Sequence, residues 1–144
     1  MYTISLHKCK YNQEVADLCM KYDKAVHKRE DVDSSFVQRT FFDNPVYDPF
    51  NEREASVPCY PEMVGIDGHR DTEDKGLFPG YGGFHMHHRI DGKLVAIGNL
   101  DLCRKSMNSA YFIYDPDLKH LNLGIVGAII EIEYMRMLNE KFDQ

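Results

Sequence analysis

Three histidines in one short segment are the most conspicuous candidates for chemistry. His85 and His87 are two residues apart, so a β-strand would place both on one face with Arg89, while His88 would point the other way. A neutral imidazole suits a general base near pH 7, and a guanidinium can hold a carboxylate. The competing interpretation is the exposed polar face of a hairpin. Two histidines do not complete a metal site, and we predict none.

Two carboxylates flank a proline at the end of a predicted strand. Asp115 and Asp117 could bind a guanidinium, and Asp115 could instead serve as a general base. The alternative is an ordinary Asp-Pro turn, where aspartate is common because it bonds to the local backbone. In the strand before this turn, Tyr111 and Tyr114 could stack on a base, although alternate aromatic residues are more often core.

The segment Asn122-Leu123-Gly124 begins the last predicted helix. A helix N-terminus offers backbone N–H groups and the positive end of the helix dipole, so it can hold a phosphate or an oxyanion. Gly124 and Gly127 are unfavourable inside a helix, and glycine at such positions often lets another backbone or a ligand approach closely. We therefore count Asn122, Leu123 and Gly124 as candidate substrate-binding positions.

Periodicity and turn signals predict an α+β domain over residues 1–144, interrupted by a long loop rich in proline and glycine at 43–82. Asp91-Gly92 is a strong signal for a two-residue hairpin turn. The predicted strands are Tyr2–Leu6, Phe84–Ile90, Lys93–Leu102 and Ser109–Tyr114. The first predicted helix is Gln13–His27, capped by Asn12, and the second is capped by Asp33 or Ser34 and stops at Asn44-Pro45. The last is Asn122–Lys141, with an apolar stripe of Leu123, Val126, Ile129, Ile130, Met137 and Leu138, which Tyr134 joins.

Composition narrows the class of protein. The net charge is −6, which argues against binding nucleic acid through bulk charge, so we expect no DNA partner and only local contacts with any RNA. No apolar run is long enough to span a bilayer, and the first ten residues lack the apolar centre of a secretory signal. We therefore expect a cytoplasmic or nuclear protein without a membrane partner. The four cysteines are widely and irregularly spaced, which predicts free thiols packed as small hydrophobic groups.

Several of these segments resemble one protein family. The runs GYGGFHMHHRIDGKLVAIGNLDL (80–102), NSAYFIYDPD (108–117) and LNLGIVGAIIEIEYMR (121–136) are similar to the C-terminal domain of arginyl-tRNA–protein transferases. The earlier segment 18–45 resembles that family's K-Y-Q-x-A-V-H segment and the helix after it. The resemblance implies a fold like that of the GNAT acyltransferases, with a mixed or antiparallel sheet, flanking helices and no cofactor.

The implied activity is transfer of arginine from arginyl-tRNA to the α-amine of proteins beginning with Asp, Glu or oxidised Cys, which marks them for ubiquitin-dependent degradation. The implied partners are arginyl-tRNA and proteins with acidic N-termini. The start of the last helix could hold a phosphate of the tRNA 3′ end or the ester oxyanion. Tyr111 could stack on the terminal adenine, and Arg89 could hold the acidic N-terminus of the acceptor protein. Asp115 and Asp117 would bind the arginine, or Asp115, His87 or His85 would act as base.

Departures from the family pattern leave two other readings open. Asn99 and Ile130 replace the usual apolar residue and arginine, and the family's cysteine-rich module and later strands would lie outside this chain. We therefore expect a domain truncated at both ends, whose alternative role is that of a catalytically inactive binding module. An acyl-CoA N-acetyltransferase is a further alternative, although Gly124-Ile125-Val126 lacks the glycine signature of acetyl-CoA users.

Overall fold

The computed structural model describes residues 1–43, 81–103 and 105–142. The strands are β1 (Tyr2–Lys8), β2 (Gly82–Ile90), β3 (Lys93–Cys103) and β4 (Ser106–Tyr114). The helices are α1 (Gln13–Val26), α2 (Ser34–Val37), a π-helix (Gln38–Phe42), a 3₁₀-helix (Pro116–Leu121) and α3 (Leu123–Phe142). The predicted strands and long helices are therefore present. The predicted loop at 43–82 lies outside the described residues except at its ends.

The four strands form one antiparallel sheet in the order β1-β2-β3-β4. Asp91 and Gly92 both have positive φ, +48° and +81°, as a type I′ hairpin turn requires. β4 lies at one edge of the described sheet, and its pairing with β3 shifts between Asn99 and Leu100, which leaves Ala110 as an extra residue. An antiparallel sheet with flanking helices confirms the α+β, GNAT-like prediction.

One face of the sheet is covered by α1, α2 and the π-helix. The Asn12 side chain accepts hydrogen bonds from Glu14 N and Val15 N, which fixes the start of α1 as predicted. Asp33 caps α2 in the same way by accepting from Phe36 N. The π-helix follows directly after α2 and buries the side chains of Phe41 and Phe42 against the sheet. The core on this face includes Val15, Leu18, Val37, Phe41, Phe42, Ile97 and Ile113.

The opposite face is covered by α3, whose orientation differs from the prediction. Ile129 was expected to be buried, yet it is 57% exposed. A side chain on Gly127 would come within 2.0 Å of the Phe112 ring, so this glycine lets α3 lie close against β4. The helix is rotated accordingly, and the residues that face the sheet are Leu123, Gly127, Glu131, Tyr134 and Leu138. Across the described residues, no helix is long and apolar enough to cross a membrane.

Candidate functional site

The histidine cluster is buried, so its interpretation as an exposed hairpin face is wrong. His85, His87 and His88 are 1%, 4% and 0% exposed, because β2 is an interior strand and the π-helix and α3 cover its two faces. His85 and His87 share a face as predicted, with ring centroids 6.3 Å apart, and His87 stacks on His7 at 4.1 Å. His88 lies on the other face, where its Nδ1 is 2.6 Å from the Tyr2 hydroxyl.

Burial makes these imidazoles weak bases. It lowers the pKa of His87 to about 2, with the nearby His7, His85 and Arg89 adding to the effect, and lowers that of His88 to about 4. Burial also lowers the pKa of His85, against a smaller opposing effect of its hydrogen bond to the Phe41 carbonyl. All three rings are therefore neutral at pH 7.

Three donors converge on the Phe41 carbonyl near the end of the π-helix. His85 Nε2 donates to it at 2.8 Å, Cys9 Sγ at 3.3 Å and Asn99 Nδ2 at 3.5 Å. We call this arrangement the carbonyl clamp. Burial, with help from Asp101 and Asp43, raises the pKa of Cys9 to about 12, so the thiol keeps its proton and remains a donor. The clamp ties the π-helix to the sheet.

The clamped segment forms one wall of a cavity of about 400 Å³. The opposite wall comes from the region of β3 and β4 around the extra residue Ala110. Tyr111, predicted to bind substrate, lines the cavity, is 49% exposed and packs edge-on against Phe41 at 5.5 Å. The polar residues of the lining include Arg39, Asp43, Asn99 and Asp101. π-Helices and β-bulges are both over-represented at functional sites, and here they border the same space.

A second polar group, the Asp115 cluster, consists of Asp115, Asp117, Lys21 and Lys93. Lys21 Nζ donates to Asp115 Oδ1 at 2.5 Å and to Asp117 Oδ2 at 2.6 Å, and Lys93 Nζ donates to Asp115 Oδ2 at 3.2 Å. Asp115 is 3% exposed. Burial alone would raise its pKa, but the hydrogen bonds from Lys21, the Asp117 N–H and Lys93 outweigh it, so the pKa is lowered. Asp115 is therefore an ionised carboxylate with both oxygens occupied.

Arg89 is also engaged within the protein. Its guanidinium makes two hydrogen bonds to the Glu14 carboxylate, at 2.9 and 2.6 Å, and one to the Gly92 carbonyl at 2.9 Å. This bidentate pair joins the first turn of α1 to the β2–β3 hairpin. An acidic ligand at Arg89 would have to displace Glu14. Arg89 also does not line the cavity, so the structure does not bring it together with the cavity residues.

The start of α3 is positioned by a left-handed residue. Asn122 has φ +51°, and its carbonyl accepts from Ile125 N and Val126 N. The N–H groups of Leu123 and Gly124 precede those bonds and lie where an anion could meet them. A side chain at Gly124 would meet nothing within 4 Å. Of the two helix glycines, Gly127 makes the expected close approach and Gly124 does not.

The cavity and α3 lie on the two sides of the same edge strand. Tyr111 lines the cavity, and the next residue, Phe112, contacts Gly127 in the second turn of α3. Alternation along a strand places neighbouring side chains on opposite faces, so only the β4 backbone separates these two features. Two substrates, one in the cavity and one against the first turn of α3, could meet around this edge.

Comparisons with known proteins agree with this architecture. The sequence model of a family described as "Arginine-tRNA-protein transferase, C terminus" matches residues 14–143. The chain belongs to this family. It is 31% identical over 136 residues to Arginyl-tRNA–protein transferase 1 of Arabidopsis thaliana, which covers 92% of the chain and 18% of the relative. The protein of that name in Dictyostelium discoideum is 44% identical over 66 residues, 46% of the chain and 10% of the relative. That of Drosophila melanogaster is 45% identical over 62 residues, 43% of the chain and 13% of the relative.

The chain thus spans between a tenth and a fifth of the length of these relatives. In this member of the arginyl-tRNA–protein transferase family, two segments of the resemblance meet directly: Lys21, in the K-Y segment of α1, contacts Asp115, in the Y-D-P-D turn 94 residues away. Sequence reasoning missed Lys21, although its place in the K-Y segment was a usable signal. Asn99 was noted only as a departure from the family pattern, and the sequence did not indicate that it lines a cavity.

No group of three or more metal-ligating side chains is arranged to hold an ion among residues 1–43, 81–103 and 105–140. The cysteines placed by the structure, Cys9, Cys19 and Cys103, are free. Cys9 takes part in the carbonyl clamp, and Cys19 lies on the buried face of α1. Cys59 lies outside the described residues.

Proposed function

We propose that this chain carries the centre that transfers arginine from arginyl-tRNA to the N-terminal α-amine of a protein. The observation that best supports it is the polar cavity at the β4 edge, which only the β4 backbone separates from the beginning of α3. That arrangement offers two substrates separate approaches to one point. The family match supports the class of reaction, and transfer by this chain is our proposal.

The reaction is the aminolysis of an ester. The acceptor amine, once neutral, attacks the carbonyl carbon of the arginyl ester, a C–N bond forms and the C–O bond to the ribose breaks. Starting from the ammonium form, one proton leaves before attack, and a second leaves the nitrogen as the ribose hydroxyl regains one. An α-amine has an ordinary pKa of about 8, so a substantial fraction is already neutral near pH 7.5. Positioning can supply much of the acceleration without a strong base.

The proposed roles follow the geometry. The cavity takes the acceptor, and the N–H groups of Leu123 and Gly124 take a phosphate of the donor or the ester oxygen as it becomes negative. Asp115 and Asp117, held by Lys21, keep the turn before α3 in place. Buried, neutral His85 holds the Phe41 wall of the cavity through the carbonyl clamp. The low basicity of the three buried histidines makes them less suited to proton abstraction than the sequence suggested.

The proposed acceptors are proteins that begin with Asp, Glu or oxidised Cys. Arg39 supports this choice, because it is an exposed cation in the cavity lining and could pair with an acidic first side chain. Arginine added to such proteins would mark them for ubiquitin-dependent degradation. Asn-initiated peptides are the matched comparison, since they keep the shape of the side chain and lose its charge.

The test is transfer of radiolabelled arginine from arginyl-tRNA to a peptide that begins with Asp. The expected result is label in the peptide, reduced when the peptide begins with Asn and absent when its α-amine is acetylated. A longer relative that contains the same domain serves as the positive control. If the relative transfers arginine and this chain does not, the proposal is wrong for the chain. Binding of arginyl-tRNA without transfer would then favour the binding module, and binding of CoA the acetyltransferase.

A further inference from the structure

We infer that Glu131 and Ser109 form a proton relay at the open edge of the sheet, which takes a proton from the acceptor nitrogen and returns it to the departing ribose oxygen. Glu131 lies on α3, and Ser109 lies on β4, an edge strand of the described sheet. The inference rests on the proposed function, because it names the groups that move a proton in that reaction. Sequence reasoning selected neither residue.

Glu131 is a buried acid without a counter-charge. The residue is 6% exposed, and its Oε1 atom is enclosed by protein and has no hydrogen-bond partner among the described residues. No ion pair within the same part of the chain includes Glu131. Asp115, by contrast, is held as a carboxylate by Lys21 and Lys93. A buried carboxylate without such a cation is costly, and binding a proton relieves that cost.

Gly98 of β3 provides the space that this carboxyl group occupies. A Cβ atom on Gly98 would come within 2.5 Å of Glu131 Oε1, so even an alanine there would displace the acid. The Oε1 atom is therefore turned toward the sheet. Gly98 pairs with Phe112 of β4, so the carboxyl group lies beside the edge strand.

Ser109 connects this acid to the surface. Burial raises the pKa of Glu131, and a hydrogen bond from the Ser109 hydroxyl opposes this effect only in part. Because Oε1 has no partner, that contact reaches Oε2. Ser109 is exposed, and the next residue along the edge strand, Ala110, lines the cavity. An acceptor in the cavity can therefore reach the Ser109 hydroxyl around the open edge, without entering the core.

The relay accounts for the second proton of the aminolysis. After the amine has attacked, its nitrogen is positively charged and gives a proton to Ser109 Oγ, while the hydroxyl proton of Ser109 passes to Glu131 Oε2. Glu131 then returns the proton through Ser109 to the ribose oxygen as the C–O bond breaks. The carboxylate ends ionised, as it began, and no further reactant is needed. The raised pKa suits this exchange, because it brings the basicity of Glu131 closer to the working pH.

The position of the relay along α3 leaves room for the donor. Glu131 is eight residues after Leu123, which is about 12 Å along the helix axis. With a phosphate at the N–H groups of Leu123 and Gly124, the ribose and its ester can extend along the edge toward Ser109.

The test compares kcat for transfer of arginine to the Asp-initiated peptide. Glu131→Gln keeps the shape of the side chain but cannot take up the proton, so we expect kcat to fall about 100-fold while the melting temperature is no lower than that of the wild type. Ser109→Ala should lower kcat to a similar extent, and the double variant no further, because the two groups act as one unit. Glu133→Gln makes the same change at an exposed position of α3 and should leave kcat unchanged.

The pH profile of kcat separates a proton relay from a structural role. At the acidic end, both the amine and Glu131 must lose a proton before reaction, so the slope of log kcat against pH should approach about two in the wild type and in Glu133→Gln. In Glu131→Gln, only the amine remains to titrate, and the slope should approach about one.

The inference can fail while the proposed function stands. Transfer by Glu131→Gln with the wild-type kcat and slope would overturn the relay, and so would an unchanged kcat in Ser109→Ala, whose exposed side chain is not needed for folding. If the wild type transfers no arginine under conditions in which a longer relative does, the function and the relay are both wrong for this chain.

Discussion

Two groups of aspartates lie in this domain, and they differ in what surrounds them. In the Asp115 cluster, Lys21 and Lys93 occupy both oxygens of a buried carboxylate. In the cavity, Asp43 and Asp101 each receive a single amide hydrogen bond and keep free acceptor positions. The first group is chemically complete, whereas the second keeps acceptor positions that face the cavity or solvent. Conspicuous position in a motif and availability for a ligand are therefore separate properties of a carboxylate.

The difference also concerns how a buried polar group is stabilised. Asp115 stays charged because opposite charges and a backbone N–H compensate its burial. The histidines between the cavity and β1 are stabilised in the neutral form, because burial outweighs the one favourable contact, that of His85 with the Phe41 carbonyl, and nothing offsets a positive charge on His87. The stability contributed by the Asp115 cluster therefore depends on its lysine partners, and that contributed by the buried histidines depends on their remaining unprotonated. Each dependence can be measured.

The largest effect should follow from breaking the Asp115 cluster. Lys21→Met leaves a buried carboxylate with Lys93 as its remaining cation, so we expect a loss of about 3 kcal/mol in the free energy of unfolding. Lys24→Met, on the exposed side of the same helix, should change it by less than about 0.5 kcal/mol. Urea denaturation of both variants measures the difference. Equal stability of the two would show that the lysine contacts contribute nothing.

A smaller effect should appear on acidification at His87. Its pKa is lowered from 6.5 to about 2, so the unfolded chain binds a proton more readily, and the contribution to stability is complete above pH 6.5 and declines below it. From pH 7 to 5 this residue should account for a loss of about 2 kcal/mol. His87→Phe keeps a ring to stack on His7 but has no group to protonate. Between pH 7 and 5 it should therefore lose about 2 kcal/mol less free energy of unfolding than the wild type. Parallel pH profiles for the two proteins would contradict a neutral, buried His87.

The smallest effect should follow from loosening the carbonyl clamp. His85→Phe keeps a ring in this buried position but removes one of three donors to the Phe41 carbonyl, so it should cost about 1 kcal/mol. If the transfer activity is present, His85→Phe should raise KM for the acceptor and leave the pH profile of kcat unchanged. Loss of the acidic limb of that profile would instead identify His85 as the base.

Much of the fold was predictable because its signals are local. The cap at Asn12, the Asp91-Gly92 turn and the apolar run of β3 each act over a few residues, and the structure confirms them. The rotation of α3 was predicted less well. Its apolar residues cover most of the helix circumference, so the pattern could not show that Gly127 would determine which side faces the sheet.

The candidate site was less predictable because its contacts join distant parts of the chain. Lys21 and Asp115 are 94 residues apart, and the Phe41 carbonyl meets His85 from 44 residues away. The alternation of histidines in β2 looked like an exposed face because the sequence does not reveal that a π-helix covers it. The cavity arises only from the packing of that helix against the β4 irregularity.

The extra residue in β4 also has a meaning for the history of the fold. Asn99 pairs with Tyr111 and Leu100 with Ser109, so removal of Ala110 would leave a regular ladder with every other pair intact. Insertion of one codon is therefore enough to convert a plain edge strand into one that bends around a cavity. Such a change keeps the rest of the sheet in register. The bulge is therefore a one-residue feature, although the pocket also needs the π-helix that packs against it.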